Sequence, residues 1–346
     1  MVGIFSRSRP RRLGGCGLRR ARRAAPLALG LALTLIGGAT SAASAQSFED
    51  IRASLREALR DVHFAKSLTG LVLLSDEIEL SSARYTIDDD SHTRLSAFTF
   101  PFHSSAPAFG ASPRLHIEGV LGYARATQRA VDVYAGALPG LETRIETDWT
   151  SYSGLAGLGL EFELFDGVTF TPIGNIGLGY LENDADYSGP GAALSKALFE
   201  GIAFGWDAWV LSGGIASRID VERELSESIR WTLVGRYDLR WTETFQEDDA
   251  AQDFQSRSQL LTLRGDLLGP TPWTPFGGAL GWRITTAVRW FLEQTLFDVD
   301  SFAELGGALE LDTTDIVPYT HELSVYASII YGDDVWGWTA GFRASF

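Results

Sequence analysis

The chain has 346 residues, a formal net charge of −15, 45% hydrophobic residues, one cysteine and one methionine. Such acidity excludes the basic stripe that nucleic-acid binding needs, so no nucleic-acid partner is expected. One cysteine excludes a disulfide frame, and beyond the N-terminal leader no stretch approaches the roughly 20 apolar residues of a spanning helix. Any membrane crossing must therefore be made by strands, whose backbone groups pair with one another where water is excluded.

Residues 1–45 read as a secretory signal peptide. Arg7, Arg9, Arg11, Arg12, Arg19, Arg20, Arg22 and Arg23 form a basic leader, the apolar run Ala24 to Ala39 follows, and Ala43-Ser44-Ala45 supplies a cleavage site. The run is short and broken by glycines and Pro26, which argues against a retained anchor. Loss of its eight arginines takes the formal charge from −15 to −23 and removes Cys16 and Met1. Residues 46–76 hold one amphipathic helix and a link. Phe48, Ile51, Leu55, Leu59 and Val62 recur at three- and four-residue steps, and Ser47 stands where it caps the first turn. The apolar face needs a surface to rest on. Two placements stay open: a plug inside a lumen, whose deletion over Ser47 to Lys66 would raise conductance, or a helix packed beneath a barrel.

From residue 77 to 346 the period changes to two. Ile78 to Ile87 is a weak first strand. Thr93 to His103 sets Phe98, Phe100 and Phe102 on one face, and Leu115, Ile117, Leu121 and Tyr123 mark a third strand. Arg144 to Leu164 carries Leu158, Leu160, Phe162 and Leu164 against glycines and acids. The Asp166-Gly167 turn then leads into Val168 to Tyr180 as a hairpin. Alternation is cleanest at Trp209 to Trp241. There Trp209, Leu211, Ile215 and Ile219, then Trp231, Leu233, Tyr237 and Trp241, oppose a charged face of Arg218, Asp220, Arg230, Arg236, Asp238 and Arg240. These six residues, with Arg343, are the expected lumen lining, and the turn at Glu224 to Glu227 would bring Asp220 near Arg230. Gln255 to Leu268, Ala279 to Leu292, Val299 to Asp312 and the hairpin His321 to Phe346 bring the count to about twelve strands, an even number as bacterial barrels require. Turns near Phe165, Leu225, Gly269 to Gly278 and Thr313 to Tyr319 would be periplasmic. Thr127 to Glu142, Glu182 to Phe204 and Glu247 to Asp249 would be outer loops, with both mature termini periplasmic. Gly157, Gly159, Gly177, Gly179, Gly337 and Gly341 fall on the inward face and would leave room for the helix or an infolded loop.

The last strand sets Trp336, Trp338, Ala340, Phe342, Ala344 and Phe346 on one face and Gly337, Thr339, Gly341, Arg343 and Ser345 on the other. An aromatic face running to the last residue fits lipid outside and a polar lumen inside. The expected fold is all-β: a transmembrane antiparallel up-and-down barrel with one N-terminal α-helix in or below the lumen. The segment Trp336 to Phe346 resembles the C-terminal assembly signal of outer-membrane proteins, with Trp338, Phe342 and Phe346 as its aromatic positions. Together with Leu263 to Pro270, Pro275 to Trp282 and Ile330 to Asp334, it is similar to the solitary outer-membrane autotransporter-like barrel family, a translocator-type barrel without a passenger. The resemblance implies an outer-membrane location in a Gram-negative cell. It also implies contact with outer-membrane lipid and lipopolysaccharide, and delivery through the barrel-assembly machinery by way of the terminal strand.

Chemistry is sparse. His103-Ser104-Ser105 and His116 with Glu118 are the places where a lipid hydrolase or protease, the rival function, would be sought. A polar lumen wall explains the same residues, so no catalytic residues are expected. No His-Glu-x-x-His helix or cysteine pair is present, so neither a metal site nor a cofactor is expected. Gly189 to Lys196 lacks the glycine that a phosphate loop places before its lysine, and reads as an outer loop. The acids at Asp88 to Asp90 and Glu247 to Asp249 read as solvated loop charge.

Overall fold

The computed structural model describes residues 48–61, 82–87, 93–108, 113–130, 140–246, 249, 252–293, 299–314, 316, 321–332 and 335–345. The leader, Val62 and the link to residue 76, Asp88 to Asp90, Glu247, Asp248 and Phe346 lie outside the described residues, as do the side chains of Leu59 and Arg343.

Twelve strands form one sheet: β1 (Ser82–Ile87), β2 (Arg94–Pro107), β3 (Arg114–Ala130), β4 (Arg144–Phe165), β5 (Val168–Ser188), β6 (Trp206–Ser226), β7 (Ile229–Phe245), β8 (Gln255–Pro270), β9 (Leu280–Phe291), β10 (Ser301–Asp312), β11 (Glu322–Gly332) and β12 (Val335–Ser345). Each strand pairs antiparallel with its sequence neighbours, and β1 pairs with β12 from Ala83↔Thr339 to Ile87↔Val335, which closes the barrel. Ser345 lies at one end, here the near end, with the turns at Asp166-Gly167 and Glu227-Ser228, whereas the described part of β1 lies in the far half, Ser82 opposite Phe98. The far end carries the longer connections. Among the described residues two α-helices accompany the sheet, α1 (Phe48–Asp61) and α2 (Ala192–Phe199).

The far-end strands run further than polarity suggests. Thr127 to Ala130 and Glu182 to Ser188, read above as loop, are ladder residues that pair with β4. Their charges stay on the outer surface, where Arg125 meets Asp148 at 2.9 Å and Arg129 meets Glu146 at 3.0 Å across the β3–β4 pair. A strand that has left the apolar layer loses its greasy face but keeps its hydrogen bonds, so composition there resembles a loop. Asp220 lies opposite Val234 rather than Arg230, because the hairpin is pinned at Ser226↔Ile229 with a register shift beside it. Arg230 instead pairs with Glu222 at 3.2 Å.

Alternation sorts the side chains into two surfaces. Leu158 is 58% exposed and Ile329 63% exposed, with Phe100, Leu121, Ile176, Leu211, Ile215, Leu263, Leu305, Trp336, Trp338 and Phe342 exposed like them. The sheet is a single layer, and no other described element covers this surface. An apolar surface wrapping the molecule is far larger than the few hundred Å² a soluble monomer tolerates. On β4 the apolar series runs from Leu164 to Tyr152 and then turns to Thr150, Asp148 and Glu146. At a tilt of about 40° that stretch rises about 30 Å, close to the height of a membrane-barrel belt. Its far edge is an aromatic row set by register, Phe98↔Tyr123↔Tyr152↔Tyr180↔Trp209↔Phe245, with ring centroids 5.3 Å apart at Tyr123–Tyr152 and at Tyr180–Trp209. The fold is therefore that of a transmembrane β-barrel.

A charge in the middle of this belt is expected to cost far more than one at its edge. Leu158→Arg should reduce the stability of the fold in phospholipid vesicles by about 2–4 kcal/mol and Leu164→Arg by about 0–1 kcal/mol. A urea titration followed by tryptophan fluorescence checks the gradient, and equal costs would contradict the belt.

Candidate functional site

The inward faces divide the lumen into two layers. Toward the far end the wall is apolar: Tyr85, Ile87, Leu95, Ile145, Trp149, Leu181, Trp206, Val210, Leu260, Phe291, Phe302, Ile330 and Val335 are buried in one continuous cluster. Every strand except β7 contributes to it. What these residues surround is the β5–β6 connection, folded back into the barrel. Gly189, at φ +103°, turns the chain inward after β5, a conformation that a side chain would strain. The helix α2 follows, so Gly189 to Lys196 is a turn and the start of a helix rather than a surface loop. Leu198, Phe199, Ile202, Ala203 and Phe204 bury themselves against the wall. The return is tied down by Gly201 N–H donating to Phe204 O at 2.7 Å, Gly205 N–H to Asn183 O at 3.0 Å and Trp206 Nε1–H to Ala203 O at 3.1 Å. Trp149 packs edge-on against Trp206, with centroids 5.7 Å apart.

The helix α1 sits on this infolded loop, at the end of the barrel opposite Ser345 and not beneath it. Leu55 is 7% exposed within the cluster and Ile51 packs against it, whereas Phe48 is exposed. Arg52 donates to the carbonyls of Ala197, Leu198 and Glu200, the last at 3.2 Å. Those are carbonyls that the end of α2 leaves without partners within the helix, and a cation there also suits the helix dipole. Arg56 binds Asp249 in the β7–β8 connection at 2.8 Å.

The near layer is ionic. Arg236 forks onto Glu118 through Nη2–Oε1 at 2.7 Å and Nη1–Oε2 at 2.9 Å, and its Nε meets Asp238 at 2.9 Å. Glu118 is on β3 and Arg236 on β7, with three strands between them, so the pair spans part of the lumen. The inward position between them on β4 is Gly157, where a Cβ would lie 2.8 Å from Glu118 Cγ. Gly157 thus makes room for a wall side chain in the near layer, whereas Gly179 and Gly337 lie beside Val210 and Ile330 of the far cluster. The same Arg-x-Asp pairing along one strand face recurs at Arg218–Asp220 (2.7 Å) and Arg264–Asp266 (3.0 Å). Arg289 meets Glu304 across β9–β10 at 2.9 Å, and Arg283 pairs with Glu310. Arg240 is buried on the same face. Charges in a water-poor interior persist only when matched in this way. Exposure rises toward the near mouth, where the side chains of Arg230 and Glu222 are 53% and 57% exposed.

A hydrogen-bonded string joins the ionic layer at the near mouth of β2, β3 and β4. Ser105 Oγ lies 3.3 Å from His116 Nδ1, and His116 Nε2 lies 3.2 Å from Glu118 Oε2. Ser105 also donates to Glu161 at 3.0 Å. Composition pointed to these residues, but their grouping comes from the β2–β3 register, Ser105↔His116 and His103↔Glu118. Among the described residues no group of three or more His, Cys, Asp or Glu side chains could hold a metal ion.

Comparison with known protein families finds no match, and comparison with curated proteins finds none either. Among solved structures, the chain is similar to the β domain of the Bordetella autotransporter BrkA (16% identity, TM-score 0.43), covering 77% of this chain and 96% of that one. It is also similar to the translocator domain of the autotransporter NalP from Neisseria meningitidis (13%, TM-score 0.42, covering 75% and 83%). A third similar structure is the transport unit of the autotransporter AIDA-I from Escherichia coli (8%, TM-score 0.49, covering 82% and 98%).

The Arg236 cluster yields a directional prediction. Arg236→Met leaves Glu118 and Asp238 buried with no cation and should cost about 3–5 kcal/mol, whereas Glu118→Gln, which leaves Arg236 with Asp238, should cost less. Unfolding midpoints of the two single variants and the double variant in vesicles check the order, and equal costs would contradict it.

Proposed function

We propose that the chain is an outer-membrane barrel of the autotransporter-translocator type whose lumen its own β5–β6 connection keeps closed. The observation that carries this reading is the apolar cluster across the far half of the lumen, with Phe199 and Ile202 at its centre. Such packing fills the far half of the lumen with side chains, and in this reading the resting barrel conducts little. In this reading residues 1–45 direct export, the near end faces the periplasm, and the far end with its longer connections faces outward. The outward aromatics Trp338 and Phe342, with Phe346, offer the terminal strand to the barrel-assembly machinery. The charged outer surface beyond the aromatic row meets lipopolysaccharide.

The plug is chiefly the infolded loop, with α1 resting on it. Replacing residues 190–204 by a short Gly-Ser link should therefore turn a nearly silent barrel into one with stable open steps in a planar bilayer. Removing residues 47–66 alone should change conductance little. If the second deletion opens the barrel and the first does not, the helix is the plug and the loop reading fails. Fractionation of cells expressing the full chain checks the location; recovery in the soluble periplasmic fraction would contradict it.

A further inference from the structure

The polar string at the near mouth has the connectivity of a nucleophile, a base and an orienting carboxylate. We propose that Ser105, His116 and Glu118 form a serine-hydrolase centre that acts on small, water-soluble acyl esters entering the lumen from the near end.

Three observations point the same way. His116 is 4% exposed and Glu118 1% exposed, whereas Ser105 is half-buried at the mouth, so the base is shielded and the nucleophile can be reached. The carboxylate is fixed from behind: Arg236 holds both oxygens of Glu118 and is itself held by Asp238. That arrangement keeps Glu118 ionised, so it must accept from His116 Nε2–H. The ring's other nitrogen, Nδ1, is then left to accept the Ser105 hydroxyl proton. Both ring nitrogens of His116 keep a partner in either state of the ring. With His116 neutral, the single Ser105 hydroxyl proton goes to Nδ1, and Glu161 keeps Arg114, whose Nη1 lies 3.4 Å away. With His116 protonated, Nδ1–H donates to Ser105 Oγ, and the hydroxyl turns to Glu161 Oε2 at 3.0 Å. A base that can take up a proton without breaking its contacts is what acyl transfer requires. Arg114 brings a cation to the same place, its Nη2 3.1 Å from the Ser105 carbonyl oxygen.

The reaction balances within these groups. Ser105 Oγ adds to the acyl carbon while its proton passes to His116 Nδ1. The tetrahedral adduct collapses, the acyl–oxygen bond breaks, and the departing alcohol takes that proton. Water then adds to the Ser105 ester, giving its proton to Nδ1. Release of the carboxylic acid returns the proton to Ser105. Ser105 and His116 are the catalytic residues; Glu118 and Arg236 are positioning residues. Substrate class follows from orientation. The alternate face of β2, with Phe98, Phe100 and Phe102, meets lipid, so bilayer acyl chains do not reach Ser105.

The test uses the full chain folded in detergent, treated with a fluorophosphonate probe and with p-nitrophenyl acetate. One phosphonyl group should be found on the peptide carrying Ser105. Labelling should vanish in Ser105→Ala, persist in Ser104→Ala, and slow by about 100-fold or more in His116→Ala. In Glu118→Gln, which keeps the side chain's size but no longer fixes the tautomer of the ring, hydrolysis of p-nitrophenyl acetate should lose kcat with KM little changed, and Glu118→Asp should restore part of that loss; a purely structural role would not separate kcat from KM or be rescued in this way. Each variant must keep the heat-modifiable gel shift of a folded barrel. A folded wild-type chain that takes no probe at Ser105, or takes it as fast after His116→Ala, overturns the proposal. Neither result bears on closure of the pore.

Discussion

A peptide N–H or C=O left unpaired in hydrocarbon costs several kcal/mol, and the pairing of β1 with β12 removes the row of such groups that an open sheet would carry. Once the ring is closed, each strand has one face toward lipid and one toward the lumen, and the period-two pattern distributes the chemistry between them. The outward face is uniform because lipid is uniform. The inward face is free to vary along the barrel axis, and in this chain it does, apolar in the far half and ionic in the near half.

The outer surface was legible in the sequence because lipid reads only parity. Ile215 and Ile219 alternate with small and charged residues such as Ala216, Arg218 and Asp220, and the structure exposes both, as it does Trp209 and Leu211. The strand count followed from the same signal. The filled lumen was harder to see, although it left a trace: around Trp206 to Leu211 both faces of β6 are apolar, with Trp206, Ala208 and Val210 buried behind exposed Trp209 and Leu211. A strand apolar on both sides is a strand covered on both sides. The run Leu198, Phe199, Ile202 and Phe204 inside a supposed surface loop carried the same message.

Partnerships were less legible than faces, because they depend on register and on distant strands. Arg218, Asp220, Arg236 and Asp238 could be assigned to one face from sequence, but the pairing of Arg236 with Glu118 bridges 118 residues and needs Gly157 to let the side chains approach. The grouping of Ser105 with His116 likewise depends on how the β2–β3 hairpin is set, which a two-residue slip would undo. The Arg-x-Asp repeat on β6, β7 and β8 is different. Its members are two residues apart, so they share a face whatever the neighbouring strands do.

Self-contained pairs of this kind bear on how the cylinder responds to mechanical deformation. If the ring flexes from round to oval, an arginine whose counterion rides on its own strand moves together with that counterion, and no bare charge appears. The Glu118–Arg236 bridge behaves differently, since it stretches whenever β3 and β7 move apart. It acts as a cross-brace between strands that are not neighbours, at the depth where the serine string meets the ionic layer, whereas the cross-strand pairs such as Arg289–Glu304 join strands already held together by their ladder.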